Sequence, residues 1–535
     1  MDTNKAIKLA IENVKKEGLT DIFPRPYEVD FLNNESFSKK IFDEVKSRIN
    51  ANTLQGLKVE PIQHVFFPKK EPFDFRRAAL MQPIDTITYL ALVLKIADEV
   101  EKKRPALRNK YVYSYRFKPS NGLLFCKKYN YTAFDKHARE AVKKPRTKVL
   151  VKCDISNFYD KLNLHRLESS LLGISAEKQT VKLINELLLF WANRDSYGLP
   201  IGGNASRILA EAFLLPIDEY LISHKIKFCR FVDDYRFFAP NVELAHAWLT
   251  LFVERLFLEG LSINPAKTFL EDAARKDHHS DKGSGAKKFS EQGKTTKIIS
   301  GYSGTIPTKF RELSEKETNE LSQIDLDALI LGISDKPVIT PEEVRHLLRV
   351  LVAVKRYEKL PLVISDISKR FPQFTPVMLD LAIKKKEDIS ESTKIEIRNY
   401  FSDRLKDCGH LPEYILISIV RLLGEADYQA KESLLDSLRN LKRNSGAFIG
   451  RCLIDALYGI TMRNDVIEIR RLFDRADSWE RCAIIRLVQK HLPEDEKRPW
   501  EKNVKVRMTN DPFAMQLLDP EKLKKKKVKP KHSTP

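Results

Sequence analysis

The sequence predicts an α+β domain followed by an all-α, helical-repeat domain. Three observations carry this. Lys148-Val-Leu-Val-Lys-Cys-Asp154 reads as a strand that ends in an acid. Lys225 to Pro240 reads as an apolar run, Asp233-Asp234, then a second apolar run, the pattern of a hairpin with two acids at its tip. Beyond about residue 310 the apolar positions keep helical spacing, as in Val344, Leu347, Leu348, Leu351 and Val354.

Residues 1 to about 145 read as mainly helical and rich in basic side chains. The strand ending at Asp154 follows. Tyr197-Gly198-Leu-Pro-Ile-Gly202-Gly203-Asn-Ala-Ser-Arg207 then forms a glycine-rich loop that opens one long helix, Ile208 to His224. Glycines there permit close approach by another backbone or by a base, although a plain loop and helix start would look the same. From Ala273 to Lys297 the chain is mostly Lys, Ser, Gly, Asp and His, an exposed loop in which His278-His279 is a weak metal candidate. Thr340-Pro341-Glu342-Glu343 has the form of a helix start, with Thr as N-cap and Glu343 closing a capping box. Amphipathic helices are expected near 376–386, 393–406, 412–424, 428–442, 447–461, 465–475 and 478–491. Stacked helical hairpins of a HEAT-like kind are the natural packing, with a plain bundle as the competing one. The expected domains are 1–60 (helical), 61–305 (α+β), 306–510 (helical repeats) and 511–535 (a basic, disordered tail).

With 535 residues the chain is long enough for several domains, and 42% hydrophobic residues suffice for sizeable cores. No long uncharged apolar run and no apolar leader are visible, so no membrane partner and a cytoplasmic location are expected. Six cysteines are scattered without paired spacing, which argues against a zinc site and against a disulfide framework. The net charge is +20, and the tail from Glu521, with seven lysines and one glutamate, explains only part of it. A basic body fits a polyanion such as nucleic acid; the bland alternative is a basic, solvated surface.

Adjacent carboxylates between apolar runs are costly, because like charges repel. They make sense around a divalent cation shared with a third carboxylate. Two strand-borne acid sites meeting in space would form a two-metal centre for phosphoryl transfer, the core of a nucleotide polymerase.

Taken together, these segments resemble the reverse transcriptases in order and spacing. Asp154-Ile-Ser-Asn-Phe-Tyr159-Asp160 resembles motif A, Gly198-Leu-Pro-Ile-Gly-Gly-Asn-Ala-Ser206 motif B, Phe231-Val-Asp-Asp234 motif C, and Leu261-Ser-Ile-Asn-Pro-Ala-Lys267-Thr motif D. The resemblance covers roughly residues 60–305. It implies a right-hand palm with fingers, in which Asp154, Asp233 and the Ile155 carbonyl bind Mg²⁺ (Mn²⁺ being the alternative) and Asp234 supports the site. It implies that Tyr159 stacks on the sugar and excludes a 2′-hydroxyl, so that deoxynucleoside triphosphates are the substrates. It places Gly202 and Lys267 at the nucleotide, Lys267 near the leaving pyrophosphate, and one arginine of Phe75-Arg76-Arg77 in the fingers on the triphosphate, with Arg77 favoured and a plain surface arginine as its alternative. Two residues depart from the pattern: Ile201 stands where motif B usually has Gln, and Phe231 stands where Tyr usually precedes Val-Asp-Asp. Contacts around the incoming base and template are expected to differ accordingly.

No ribonuclease H, integrase or maturase pattern follows residue 300. A polymerase domain joined to a helical region is similar to the abortive-infection (Abi) polymerases and defence-associated reverse transcriptases of bacteria. That resemblance implies a role against phage, template-independent DNA synthesis primed from a protein tyrosine, and a homo-oligomer. Tyr27, in the proline-braced Phe23-Pro-Arg-Pro-Tyr27, is one priming candidate; a structural role is its alternative. Arg486-Leu-Val-Gln-Lys-His491 has a spacing found in some helical ribonucleases, as does Arg404 to His410, but chance gives such hits in an arginine-rich chain. The rivals are an RNA-templated reverse transcriptase with an associated noncoding RNA, and a nucleic-acid-binding scaffold that senses a phage component.

Overall fold

A computed structural model describes residues 1–23, 25–68, 75–175, 177–192, 195–273, 310–336, 341–406, 411–441 and 448–519. Thr340, the His278-His279 pair, nearly all of the loop expected at 273–297, His410 and the tail beyond Asp519 lie outside the described residues. The chain divides into two units, Met1–Ile62 with Met81–Gly301, and Gln63–Leu80 with Tyr302–Pro535. Among the described residues no helix is long and apolar enough to cross a membrane.

The first unit is built on a four-stranded antiparallel sheet in which Phe228–Phe231 pairs with Asp234–Ala239, that strand with Val149–Asp154, and that in turn with Phe269–Asp272. Its strands are β5 (Val149–Asp154), β6 (Phe228–Phe231), β7 (Asp234–Ala239) and β8 (Phe269–Asp272). Strand alternation sorts their side chains. Leu150, Cys229 and Phe238 pack with Phe134, Ala138 and Val142 of the helix Tyr131–Val142. On the other face Tyr235 and Phe237 pack against Phe252 of the helix Val242–Leu258, with ring centroids 4.6 and 5.3 Å apart. Covering both faces fixes the register, because a one-residue slip would turn every core side chain outward.

A two-stranded hairpin of β3 (Phe117–Ser120) and β4 (Leu123–Phe125) precedes the sheet. The helix Pro83–Lys103 is buried along most of its length and packs on the first helix, Thr3–Glu17, and on Asn204–Phe213. The long helix expected over 208–224 is two helices, Asn204–Phe213 and Leu215–Ser223. Pro216 is the reason: it lacks an N–H and its ring opposes the preceding turn, so a helix restarts there rather than passing through.

Among its described residues the second unit is helical apart from one hairpin, β1 (Gln63–Pro68) with β2 (Phe75–Leu80). Helices Thr375–Lys384, Glu413–Gly424, Ile449–Leu457, Ser478–His491 and Pro512–Leu518 each pack on the next. The intervening helices Leu360–Arg370, Glu391–Lys406 and Lys431–Arg439 form a second row in the same way. Polar contacts recur at nearly constant separation: Lys394–Asp427 spans 33 positions, Lys431–Asp465 spans 34 and Arg463–Glu496 spans 33. The hairpin lies on this array through Phe67 against Tyr414, centroids 6.3 Å apart, and a Gln63–Asp477 hydrogen bond of 3.1 Å.

Residues 511–518 do not form part of a disordered tail. Asp511 caps the helix Pro512–Leu518, and burial of Phe513, Ala514 and Leu518 supplies the reason for its order.

Candidate active site

β5 and β7 are paired in register along their length, which sets Asp154 opposite Asp234 at the end of the sheet. Asp233 occupies the turn between β6 and β7. Val232 beside it has φ of +56°, a left-handed conformation that is unfavourable for a β-branched residue. The Arg230 guanidinium donates to the Val232 carbonyl at 3.4 Å. The Ile155 N–H donates to the Asp233 carbonyl at 3.1 Å, docking the chain after β5 onto the turn. Asn264 N–H donates to the Asp154 carbonyl at 2.7 Å and Ser156 N–H to the Ser262 carbonyl at 2.8 Å, so the segment 262–264 straps the other side.

Three of the expected residues thus meet: Asp154, Ile155 and Asp233. Lys267 joins them, with Nζ 3.2 Å from Asp154 Oδ2. Asp233 keeps part of its surface open, yet desolvation at the tip and the neighbouring Asp154 charge push its carboxyl up to about 7. Asp234 forms an ion pair with Arg236, whose guanidinium lies 5.4 Å from the Phe134 ring centroid.

Among the described residues, no three or more His, Cys, Asp or Glu side chains gather as a metal cage. The set that converges is two carboxylates and a main-chain carbonyl position. Two mutually repelling carboxylates with one exposed lysine as counter-charge fit a hard divalent cation such as Mg²⁺. Such an ion needs few protein oxygens, because it keeps waters and substrate oxygens in its shell.

Tyr159 is buried in the short helix Phe158–Lys161, its ring 5.5 Å from Phe158. The glycine-rich loop lies directly on it: Leu199 N–H donates to the Tyr159 carbonyl at 2.9 Å, and Gly198 N–H to the Leu162 carbonyl at 2.9 Å. Gly202 has φ of +123°, a conformation open to glycine. Arg77 is exposed on β2, in the second unit; burial and the Arg77 charge hold the His64 imidazole down to about 4. Tyr27 stands at the start of the helix Glu28–Phe31, its hydroxyl shielded from solvent and its ring 6.0 Å from Phe31. Arg486 and His491 both address Tyr458, the guanidinium 3.9 Å from its ring centroid and the imidazole Nε2 2.9 Å from its carbonyl oxygen. That is a packing role between neighbouring helices.

Sequence reasoning missed a buried charge cluster beneath the hairpin. Arg230 bonds Asp218 twice and lies 2.9 Å from Glu211, which also takes Arg104 at 2.7 Å and the Ser114 hydroxyl. Burial alone would raise the Glu211 carboxyl, but the two guanidiniums outweigh it and hold it below its usual range. The signal available was Arg230 itself, a charged residue inside a strand pattern.

Residues 100–283 match the family model described as reverse transcriptase (RNA-dependent DNA polymerase). The chain contains a reverse transcriptase domain. The match supports a nucleotidyltransferase similar to the RNA-directed DNA polymerases, and the acids, the glycine-rich loop and Lys267 all lie within the matched residues. No curated protein matches the chain. Among solved structures, telomerase from Candida albicans in complex with a telomeric RNA fragment is 13% identical, over 87% of this chain and 71% of that one, with a TM-score of 0.30. The corresponding telomerase from Candida tropicalis is 15% identical, over 75% and 64%, also at 0.30.

Proposed function

We propose that the chain is a bacterial anti-phage DNA polymerase that adds deoxynucleotides without a template, primed from a protein tyrosine. The observation that carries the polymerase part is the convergence of Asp154 and Asp233 at one end of the sheet, with Lys267 on Asp154. The defence role and the priming rest on the resemblance of Leu199-Pro-Ile-Gly-Gly-Asn-Ala-Ser-Arg-Ile-Leu-Ala-Glu211 and Arg230-Phe-Val-Asp-Asp234 to the Abi polymerases, and on the presence of a second, helical unit.

Asp154, Asp233 and the Ile155 carbonyl would hold Mg²⁺, which when bound lowers the pKa of the attacking hydroxyl and neutralises phosphate charge. Tyr159, braced by the glycine-rich loop, faces the sugar and excludes a 2′-hydroxyl. Lys267 offers its ammonium to the departing pyrophosphate, and Asp234 fixes the turn through Arg236. Arg77 is assigned to the triphosphate by its sequence position.

The description of residues 100–283 as an RNA-dependent DNA polymerase favours a second reading, RNA-templated synthesis. One experiment separates the two. Purified protein receives Mg²⁺ and one labelled deoxynucleotide at a time, without nucleic acid, and the products run on a denaturing gel before and after protease. Label that travels with protein and shifts on proteolysis supports protein-primed synthesis. Incorporation only after RNA and a primer are added supports the templated reading.

A further inference from the structure

The open side of Gly202 is filled by the chain's own N-terminal segment. A Cβ placed on Gly202 would lie 2.3 Å from Thr20 Oγ1 and 3.5 Å from Ile22 Cδ1. The segment is latched to the helix that follows the glycines. Asp21 pairs with Arg207 at 2.7 Å, and Arg207 donates to Asn204 Oδ1 at 2.7 Å. Asn204 in turn donates to Asn13 at 2.9 Å and to Glu17 at 2.8 Å.

Two paths link this latch to the acids. Along the first, Tyr159 follows Asp154 by five residues, its carbonyl holds Leu199, and Gly202 with Thr20 upon it comes next. Along the second, Arg207 lies 5.1 Å from the Tyr115 ring centroid, and Tyr115 packs at 5.9 Å on Phe231 of the hairpin. Tyr115 is close enough to both Asp21 and Asp233 to feel their charges. With the sugar of a nucleotide at Tyr159 as proposed, Gly202 and Thr20 are the next groups reached along the glycine-rich loop.

We infer that Leu19–Ile22 forms the base-side wall of the nucleotide site and that Thr20 is a specificity-determining residue for the base. This rests on the nucleotide site proposed above. Thr20 is half-buried, and its Oγ1 accepts from the Ile22 N–H at 3.2 Å. A hydroxyl used in this way still has a hydrogen to donate and a second lone pair. Ile201, without a polar side chain, leaves that polar contact to the wall.

The test compares Thr20→Val and Thr20→Ser with wild type, reading kcat/KM for each of the four deoxynucleoside triphosphates under conditions in which wild type incorporates. Thr20→Val should change the ratio between the preferred nucleotide and the next by about tenfold, the scale of one lost hydrogen bond, while Thr20→Ser keeps the wild-type ratio. An equal fall for all four nucleotides would mean the segment is only a brace and would overturn the inference, leaving the polymerase reading intact. Wild type that incorporates nothing under any condition would overturn both. A second measurement needs no activity: Gly202→Ala should cost more unfolding stability in the wild-type background than beside Thr20→Gly. Equal costs would show that the contact is absent in solution and would also overturn the inference.

Discussion

Arg230 and Asp218 form a fully enclosed ion pair, Nε to Oδ1 at 2.8 Å and Nη2 to Oδ2 at 2.7 Å, one residue before the hairpin box that carries Asp233. Both groups have left water completely, so Asp218 depends on Arg230, which it shares with Glu211. Removing one partner of such a pair typically costs about 3–5 kcal/mol, because the survivor is left charged and buried. Arg230→Met should therefore lower the unfolding free energy by that order, measured by urea titration. Arg230→Met with Asp218→Leu should recover a large part of it, since no lone charge remains. A single variant that unfolds like wild type would contradict the pair.

Asp233 is expected to show the opposite sign. Burial and Asp154 raise its carboxyl to about 7, so the folded state favours the protonated form. Stability associated with that proton is present in acid and is lost as pH rises from about 4 through about 7. Without divalent ions, the wild-type melting temperature should fall over this window relative to Asp233→Asn, which has no proton to lose. Added Mg²⁺ or Mn²⁺ should raise the melting temperature of wild type at pH 8 and leave Asp233→Asn nearly unmoved. The same variant should lose nucleotide incorporation by at least about a thousandfold, as expected when a ligand to a reacting centre is removed.

The carboxylate half of this arrangement was legible because it is local. Asp154 ends a short apolar run and Asp233-Asp234 interrupts another, and those patterns alone predict a strand and a hairpin that became β5 and β6–β7. The supporting half was illegible because it is assembled from afar. Glu211 meets Arg104 across 107 positions and Ser114 across 97, and charged residues in a sequence are normally read as surface. The Thr20–Gly202 contact is equally remote; the glycine announced that something approaches closely without saying what. Pro216 was visible, but the apolar spacing runs through it and hid the break between two helices.

Lys267 should separate stability from function. Its ammonium is more than half exposed although it touches Asp154. An exposed pair of this kind contributes about 0–1 kcal/mol, so Lys267→Ala should melt close to wild type. Its charge is nevertheless aimed at the carboxylate end of the sheet, where phosphate charge would develop. Incorporation should fall by about 10–1,000-fold, the range for loss of one positioned electrostatic group. A loss of stability with normal incorporation would reassign Lys267 to a purely structural role.

Tyr159 gives the sharpest test of sugar discrimination. Its ring is held by Phe158, and the main chain behind it is clamped by the Leu199 N–H, so the side chain cannot retreat without disturbing the glycine-rich loop. A 2′-hydroxyl meeting that ring finds an apolar, immobile surface and loses its hydrogen bonds to water. Burying a hydroxyl without a partner costs about 1–3 kcal/mol. Tyr159→Ala should therefore narrow the preference for deoxy- over ribonucleotides by about 10–100-fold, mostly by improving kcat/KM for the ribonucleotide. Tyr159→Phe should keep the wild-type preference if, as proposed, the ring rather than the hydroxyl excludes the ribose. A preference unchanged in Tyr159→Ala would place sugar selection on another residue.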